Sequence, residues 1–127
     1  MSTRPVIEDE VRRFVLTSVP SVPYAEAVLL LRLHADKACT GSDVARALYI
    51  SERAALELLQ VAREAGVLEE TTAGYRYQPR DEQLAKAWDQ FAACYAANLI
   101  GVTQIIHSAT HKSAHLFADA FKLRREP

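Results

Sequence analysis

The chain has 127 residues, of which 50% are hydrophobic and 24% are charged, a composition typical of one globular domain with its own core. Fifteen Lys and Arg against sixteen Asp and Glu give a net charge of −1, which excludes a global positive field that would attract nucleic acid or anionic lipid. Any contact with DNA must therefore come from a local arrangement of residues.

The cysteines and the apolar segments bear on the compartment. Cys39 and Cys94 are far apart and follow no metal-ligand spacing, so the sequence indicates neither a disulfide framework nor a cysteine zinc site. Residues 1–10 carry acidic side chains where a signal peptide needs an apolar core. The longest uncharged run, residues 90–106, is shorter than the ~20 apolar residues of a membrane helix. We expect a reduced, cytoplasmic protein with no membrane partner.

The first part of the chain predicts two helices. Ile7, Val11 and Phe14 follow helical spacing, and the prolines at 20 and 23 end that helix. Pro23 also suits the first turn of the next helix, which is leucine-rich and therefore expected to be buried on several sides.

The middle part predicts two short helices and a hairpin. Thr40 followed by Asp43 indicates a capping box at the start of a helix over 42–48. Ser51 is a good N-cap for the next helix, and Gly66 is a left-handed residue that ends it. The residues from 69 to 78 predict two strands joined by a turn over 71–74.

These residues carry a resemblance to a known family. The run from Val44 to Ser51, continued through Leu58, Ala62 and the Gly-Val-Leu segment at 66–68, resembles a bacterial winged helix-turn-helix, in particular the MarR-like transcriptional regulators. The resemblance covers about residues 24–79 and departs at the turn, where this chain has Tyr49 and the family often has Gly. It implies a helical head with a two-stranded β wing, in which the helix after Ser51 is the recognition helix.

The last part predicts one long helix that begins near residue 80. Large apolar residues recur along it at steps of three and four: Leu84, Trp88, Phe91, Tyr95, Leu99, Val102 and Ile106. Ala93, Ala97 and Gly101 form a second stripe of small residues. Because one small chain cannot easily cover such a helix, we expect two chains to pack their terminal helices together as a homodimer.

Together these elements predict one mainly α domain over residues 1–127. Its parts are an N-terminal helix (1–22), a winged helix-turn-helix with a two-stranded wing (23–79) and C-terminal helices (80–127) that include a long dimerisation helix. By resemblance, its function is to regulate transcription by binding double-stranded DNA as a homodimer. The residues expected to contact DNA are Arg46, Ser51, Arg53, Glu57, Gln60, Thr71 and Arg76.

A protein-interaction module is the alternative. Between Ser51 and Ala65 there are two arginines against Glu52, Glu57 and Glu64, which repel phosphates. An exposed Leu56 on such a helix suits a regulatory protein partner better than a DNA groove. Since winged helices serve both purposes, the sequence leaves this alternative open.

Other functions have less support. The chain has no glycine-rich phosphate loop and no recognisable catalytic constellation, so we expect neither an enzyme nor a cofactor. His107, His111 and His115 would share a face on an unbroken helix, but the residues between them are typical of a connection, and we expect no metal site. Tyr24, Trp88, Phe91 and Tyr95 can border a small-molecule crevice, although aromatics at helical spacing are more often core.

Overall fold

The computed structural model describes residues 7–108. This part of the chain is mainly helical with a small two-stranded antiparallel sheet, an arrangement compatible with a winged helix. The elements are α1 (Asp9–Ser18), α2 (Val22–Leu33), α3 (Gly41–Leu48), α4 (Glu52–Glu64), β1 (Leu68–Thr71), β2 (Gly74–Tyr77), α5 (Glu82–Ala97) and α6 (Leu99–Ser108).

The helix starts follow the capping signals of the sequence. The Ser21 Oγ accepts a hydrogen bond from the Tyr24 amide at 3.2 Å, so α2 begins one residue before Pro23. At α3 the Thr40 hydroxyl accepts from the Asp43 amide, and the Asp43 carboxylate accepts from the Thr40 amide at 2.9 Å. This reciprocal pair confirms the predicted capping box.

The hairpin is short and pairs in register. Leu68 lies opposite Tyr77 and Thr71 opposite Gly74, which leaves a two-residue turn. Cys39 joins the other edge of β2, since its backbone exchanges hydrogen bonds of 2.7 and 2.8 Å with Tyr75. The segment before α3 is thereby tied to the hairpin after α4, and the middle of the chain closes into one unit.

The expectation of one long C-terminal helix is wrong. The helix ends at Ala97 and restarts at Leu99, with Asn98 in a non-helical conformation between α5 and α6. The Asn98 side-chain oxygen accepts a hydrogen bond from the Gly101 amide at 3.0 Å, so the residue that ends α5 also caps α6. The stripe residues on both sides of the break belong to the same core, with Trp88 and Phe91 before it and Val102 and Ile106 after it.

The core is built around an aromatic cluster that joins α1, α2 and α5. Trp88 contacts Phe14 edge-on at a centroid distance of 5.3 Å and lies 6.2 Å from Tyr24. The ring centroid of Phe91 lies 5.2 Å from that of Trp88, and the Phe91 ring stacks on Tyr95. Most of the stripe that predicted a dimer seam is therefore buried within one chain.

Two polar contacts orient α5 against α2. The Tyr95 hydroxyl donates to the Glu26 carboxylate at 2.5 Å, and Arg32 donates to Asp89 at 2.9 Å. Burial is the main cause that raises the pKa of Tyr95, and the hydrogen bond and charge of Glu26 raise it further. The Tyr95 hydroxyl therefore stays protonated and acts as the donor. The two pairs lie six residues apart on each helix, so they hold α5 antiparallel to α2.

Candidate functional site

Helix α4 presents one face to solvent. Its opposite face is packed against α2, α3 and β1 through Ala55, Leu59 and Ala62, which are all at most 1% exposed. On a helix of 3.6 residues per turn, Arg53 and Gln60 then lie near the centre of the exposed face. Both side chains are exposed, and no ion pair among residues 7–108 involves Arg53. The Arg53 guanidinium and the Gln60 side-chain amide are therefore presented to solvent on the same face.

Acidic side chains lie beside Arg53 on this face, and an apolar side chain lies at its edge. At about 100° per residue, Glu64 and Glu57 are exposed within about 40° of Arg53 around the helix. Val61 lies further round in the same direction and is 47% exposed. Arg63 is not free to offset these carboxylates fully, because its guanidinium lies 3.4 Å from Glu70. The predicted acidity of the helix therefore holds for its exposed surface.

Ser51 caps α4, as the sequence predicts. Its Oγ accepts a hydrogen bond from the Ala54 amide at 3.0 Å, and its φ and ψ are extended. The residue is exposed at the positive end of the helix dipole. The cap uses the Ser51 hydroxyl only as an acceptor. The hydroxyl can therefore donate its own proton to an external acceptor such as a phosphate.

Arg46 lies on the exposed side of α3 beside an acidic partner. Its guanidinium is 3.8 Å from the Asp43 carboxylate, and 76% of its side chain is exposed. The backbone hydrogen bond with Thr40 is the main cause that lowers the pKa of Asp43, and the side-chain hydrogen bond with Thr40 comes second. This carboxylate therefore stays charged at neutral pH. Arg46 is reachable by a ligand, but Asp43 offsets part of its charge.

The hairpin offers less than the sequence indicated. The Thr71 hydroxyl is used locally, because it donates to the Gly74 carbonyl and accepts from the Ala73 amide. Arg76 is exposed on β2 opposite Glu69, and its Nε donates to the Ala35 carbonyl at 3.4 Å. The strands have four residues each, and the two-residue turn carries no charge, so this hairpin is short and presents no cation at its tip.

The structural roles of three residues in this region, Gly41, Arg80 and Tyr49, were not predicted from the sequence. Gly41 lies where α3 meets α4, and a Cβ there would be 2.7 Å from a Leu56 side-chain carbon. Leu56 therefore covers the helix crossing and is only 37% exposed. Arg80 donates to the Ala65 carbonyl at 2.7 Å and so completes the end of α4. Tyr49 adopts the left-handed conformation expected of Gly.

No metal or thiol chemistry is assembled in the described part of the chain. Residues 7–108 contain no group of three His, Cys, Asp or Glu side chains placed to hold a metal ion. His107 is exposed near the end of α6, and His111 and His115 lie outside the described residues. Burial is the main cause that raises the pKa of both the Cys39 and the Cys94 thiols, which makes them weaker nucleophiles at neutral pH.

The four aromatics considered for a small-molecule crevice are core residues. Tyr24, Trp88 and Phe91 are at most 2% exposed, and Tyr95 is 8% exposed. They pack on one another instead of facing an open cleft. Burial raises the pKa of Tyr24 to about 12, as expected for a phenol inside a core.

Among residues 7–108, no single helix combines the length and apolar character needed to cross a membrane. The consecutive pair α1 and α2 meets that test only when taken together, and the two helices are bent by 107°.

Comparison with known proteins adds no relative. No family model matches the sequence, and no curated protein or solved structure is similar enough to count as a match. The functional argument therefore depends on the geometry of α4 and its surroundings.

Proposed function

We propose that this chain is a winged helix-turn-helix regulator of the MarR-like kind that binds double-stranded DNA through α4. The observation that carries the proposal is the exposed face of α4, with Arg53 and Gln60 at its centre and a capped N-terminus at Ser51. A helix presented in this way, with α3 crossing behind it, suits insertion into a major groove.

Each side chain on the face has a chemical role in this proposal. Arg53 can donate to the acceptor edge of guanine, and Gln60 can pair with adenine through its amide. The Glu57 carboxylate can accept a hydrogen bond from the exocyclic amine of cytosine, so an acidic side chain is compatible with the groove. Ser51 and Arg46 can donate to phosphates of the flanking DNA backbone. Arg76 and Thr71 lie on the hairpin and can contact the DNA backbone from there.

The charge of the face sets the expected affinity. Glu52, Glu57 and Glu64 surround one unpaired arginine, so the sequence-independent attraction to phosphates is weak. Discrimination must then come mainly from base contacts. We expect a small salt dependence and low affinity for unrelated sequences compared with strongly basic regulators.

A homodimer is part of the proposal, with a smaller seam than the sequence indicated. Between residues 90 and 106 no side chain is charged, and Leu99 and Ile100 on α6 are 51% and 53% exposed. The exposed Ala93, Ala96 and Ala97 at the end of α5 allow another helix to approach closely. Pairing two copies through this surface would present two α4 helices to successive grooves.

DNA binding is tested with the full chain by fluorescence anisotropy. The probe is a labelled duplex of about 25 bp, long enough for two successive major grooves and selected from a pool of random sequences by its binding to the chain, titrated at several salt concentrations. Binding should weaken as salt rises. Arg53→Ala removes a base contact and should lower the affinity, whereas Arg46→Ala removes a phosphate contact and should also lower the salt slope, by about one counterion.

Arg12→Ala is the matched control, since Arg12 is an exposed arginine on α1, which packs mainly on α5. It should leave binding close to wild type. If the wild-type chain shows no salt-sensitive binding even at low ionic strength, the proposal is wrong.

A protein partner is the second candidate. The observation that favours it is the acidic and apolar edge of α4, where Val61 is 47% exposed beside Glu57 and Glu64. A partner with a basic, apolar surface would match this edge. Under this alternative, Val61→Asp abolishes complex formation with such a partner, the Arg53→Ala variant still forms the complex, and the chain binds no DNA.

A further inference from the structure

Tyr49 occupies a backbone conformation that does not suit its side chain. Its φ of 59° and ψ of 45° lie in the left-handed region, and it is the only non-glycine residue of 7–108 with a positive φ. Gly adopts this region freely, whereas a bulky side chain is unfavourable there. Local folding therefore favours Gly at this turn, and another cause is needed for Tyr.

The folded chain makes little use of the Tyr49 side chain. It is 94% exposed, the most exposed large hydrophobic residue in the described part of the chain. Within residues 7–108 it takes part in none of the aromatic pairs and none of the side-chain hydrogen bonds. A strained and exposed aromatic residue of this kind is typical of a contact with a molecule outside the fold.

The position of Tyr49 indicates which molecule. It ends α3 and lies two residues before Ser51, the N-cap of α4. Arg46 lies one helical turn before it, and Arg53 lies in the first turn of α4. When the N-terminal part of α4 enters a major groove, residues just before the helix lie at the rim of that groove, where the phosphates run. A tyrosine hydroxyl is a common donor to phosphate oxygens.

We infer that the Tyr49 hydroxyl donates a hydrogen bond to a phosphate oxygen of the DNA backbone, at the rim of the groove that α4 enters. This inference rests on the proposed function and adds a contact that the sequence analysis did not include. It also explains why a residue that weakens the turn is present there.

The inference is tested with Tyr49→Phe and Tyr49→Gly in the full chain, with the same labelled duplex. Tyr49→Phe removes only the hydroxyl and should weaken binding by about three- to tenfold. Because a neutral hydroxyl releases no counterion, the salt slope should stay as in wild type, unlike the slope of Arg46→Ala. Tyr49→Gly should weaken binding at least as much while raising the melting temperature, since Gly relieves the turn.

Leu33→Ala is the matched control, because Leu33 is another exposed hydrophobic residue, at the end of α2. It should leave binding unchanged. Wild-type affinity in both Tyr49 variants would overturn the inference and leave DNA binding intact. Loss in Tyr49→Gly without loss in Tyr49→Phe would overturn the hydroxyl contact. Absence of DNA binding by the wild-type chain would overturn the proposed function as well.

Discussion

Gly74 begins β2 at the point where the backbone of the hairpin meets the segment before α3. Its φ is +135°, and a Cβ at this position would lie 2.5 Å from the Cys39 carbonyl oxygen. Both the conformation and the close approach require Gly. The atoms in contact belong to the backbone, so they cannot turn aside as a flexible side chain would.

We expect Gly74→Ala to lower the free energy of unfolding by about 2–3 kcal/mol, because it combines backbone strain with a backbone clash. Urea denaturation of the full chain measures this change. Thr72→Ala in the same turn is exposed and should change stability by less than about 0.5 kcal/mol. An effect of Gly74→Ala as small as that of Thr72→Ala would contradict the prediction.

Helices α5 and α6 show how one polar residue redirects a long apolar stripe. A continuous helix would keep Leu99 and the residues after it on the line of Trp88 and Phe91. The break at Asn98 instead lets Val102 and Ile106 become fully buried while Leu99 and Ile100 stay exposed. Gly101 supports the break, since a Cβ there would lie 2.6 Å from the Asn98 side-chain nitrogen.

Asn98→Ala should lower the free energy of unfolding by about 1 kcal/mol, because the Gly101 amide loses its acceptor. Asn98→Asp keeps a side-chain oxygen at the helix start and should retain most of the stability. Thermal unfolding followed by circular dichroism compares the two variants. Equal losses in both would show that the cap does not stabilise α6.

The whole molecule combines an acidic exposed face with an uncharged surface on a different pair of helices. The first surface lies on α4, and the second lies at the end of α5 and the start of α6. Tyr95 connects them through its hydrogen bond to Glu26 on α2, which packs directly against α3 and α4. A dimer formed through the second surface would therefore hold the two α4 helices at a defined spacing.

Wild-type protein should sediment as a dimer, and Ile100→Glu should sediment as a monomer, because the variant places a charge in an apolar seam. Ile100 is half exposed in the single chain, so the variant should still fold. Leu33→Glu adds the same charge at another exposed hydrophobic residue and should remain dimeric. A monomeric wild-type chain in sedimentation velocity would contradict the dimer.

Several parts of the fold could be predicted because their causes are local. The Thr40 capping box, the Ser51 cap and the left-handed Gly66 each involve residues close in sequence, and all are present in the structure. The candidate residues on α4 follow from the same helix phase, since the burial of Ala55 and Leu59 leaves Arg53 and Gln60 exposed. The structural roles of Gly41 and Arg80 were not predicted, because they depend on contacts with residues distant in sequence.

The sequence alone indicated the caps at Thr40 and Ser51, the presence of the hairpin and which side of α4 faces outward. Capping and periodicity act over three or four residues, so they can be read without coordinates. Only the tertiary structure decided whether the aromatic stripe would cover a partner or the chain's own core, because that depends on the space between α1, α2 and α5. It also showed that Asn98 divides the last helix, since a capping asparagine and an ordinary helical asparagine look the same until the neighbouring core has fixed the direction of the chain.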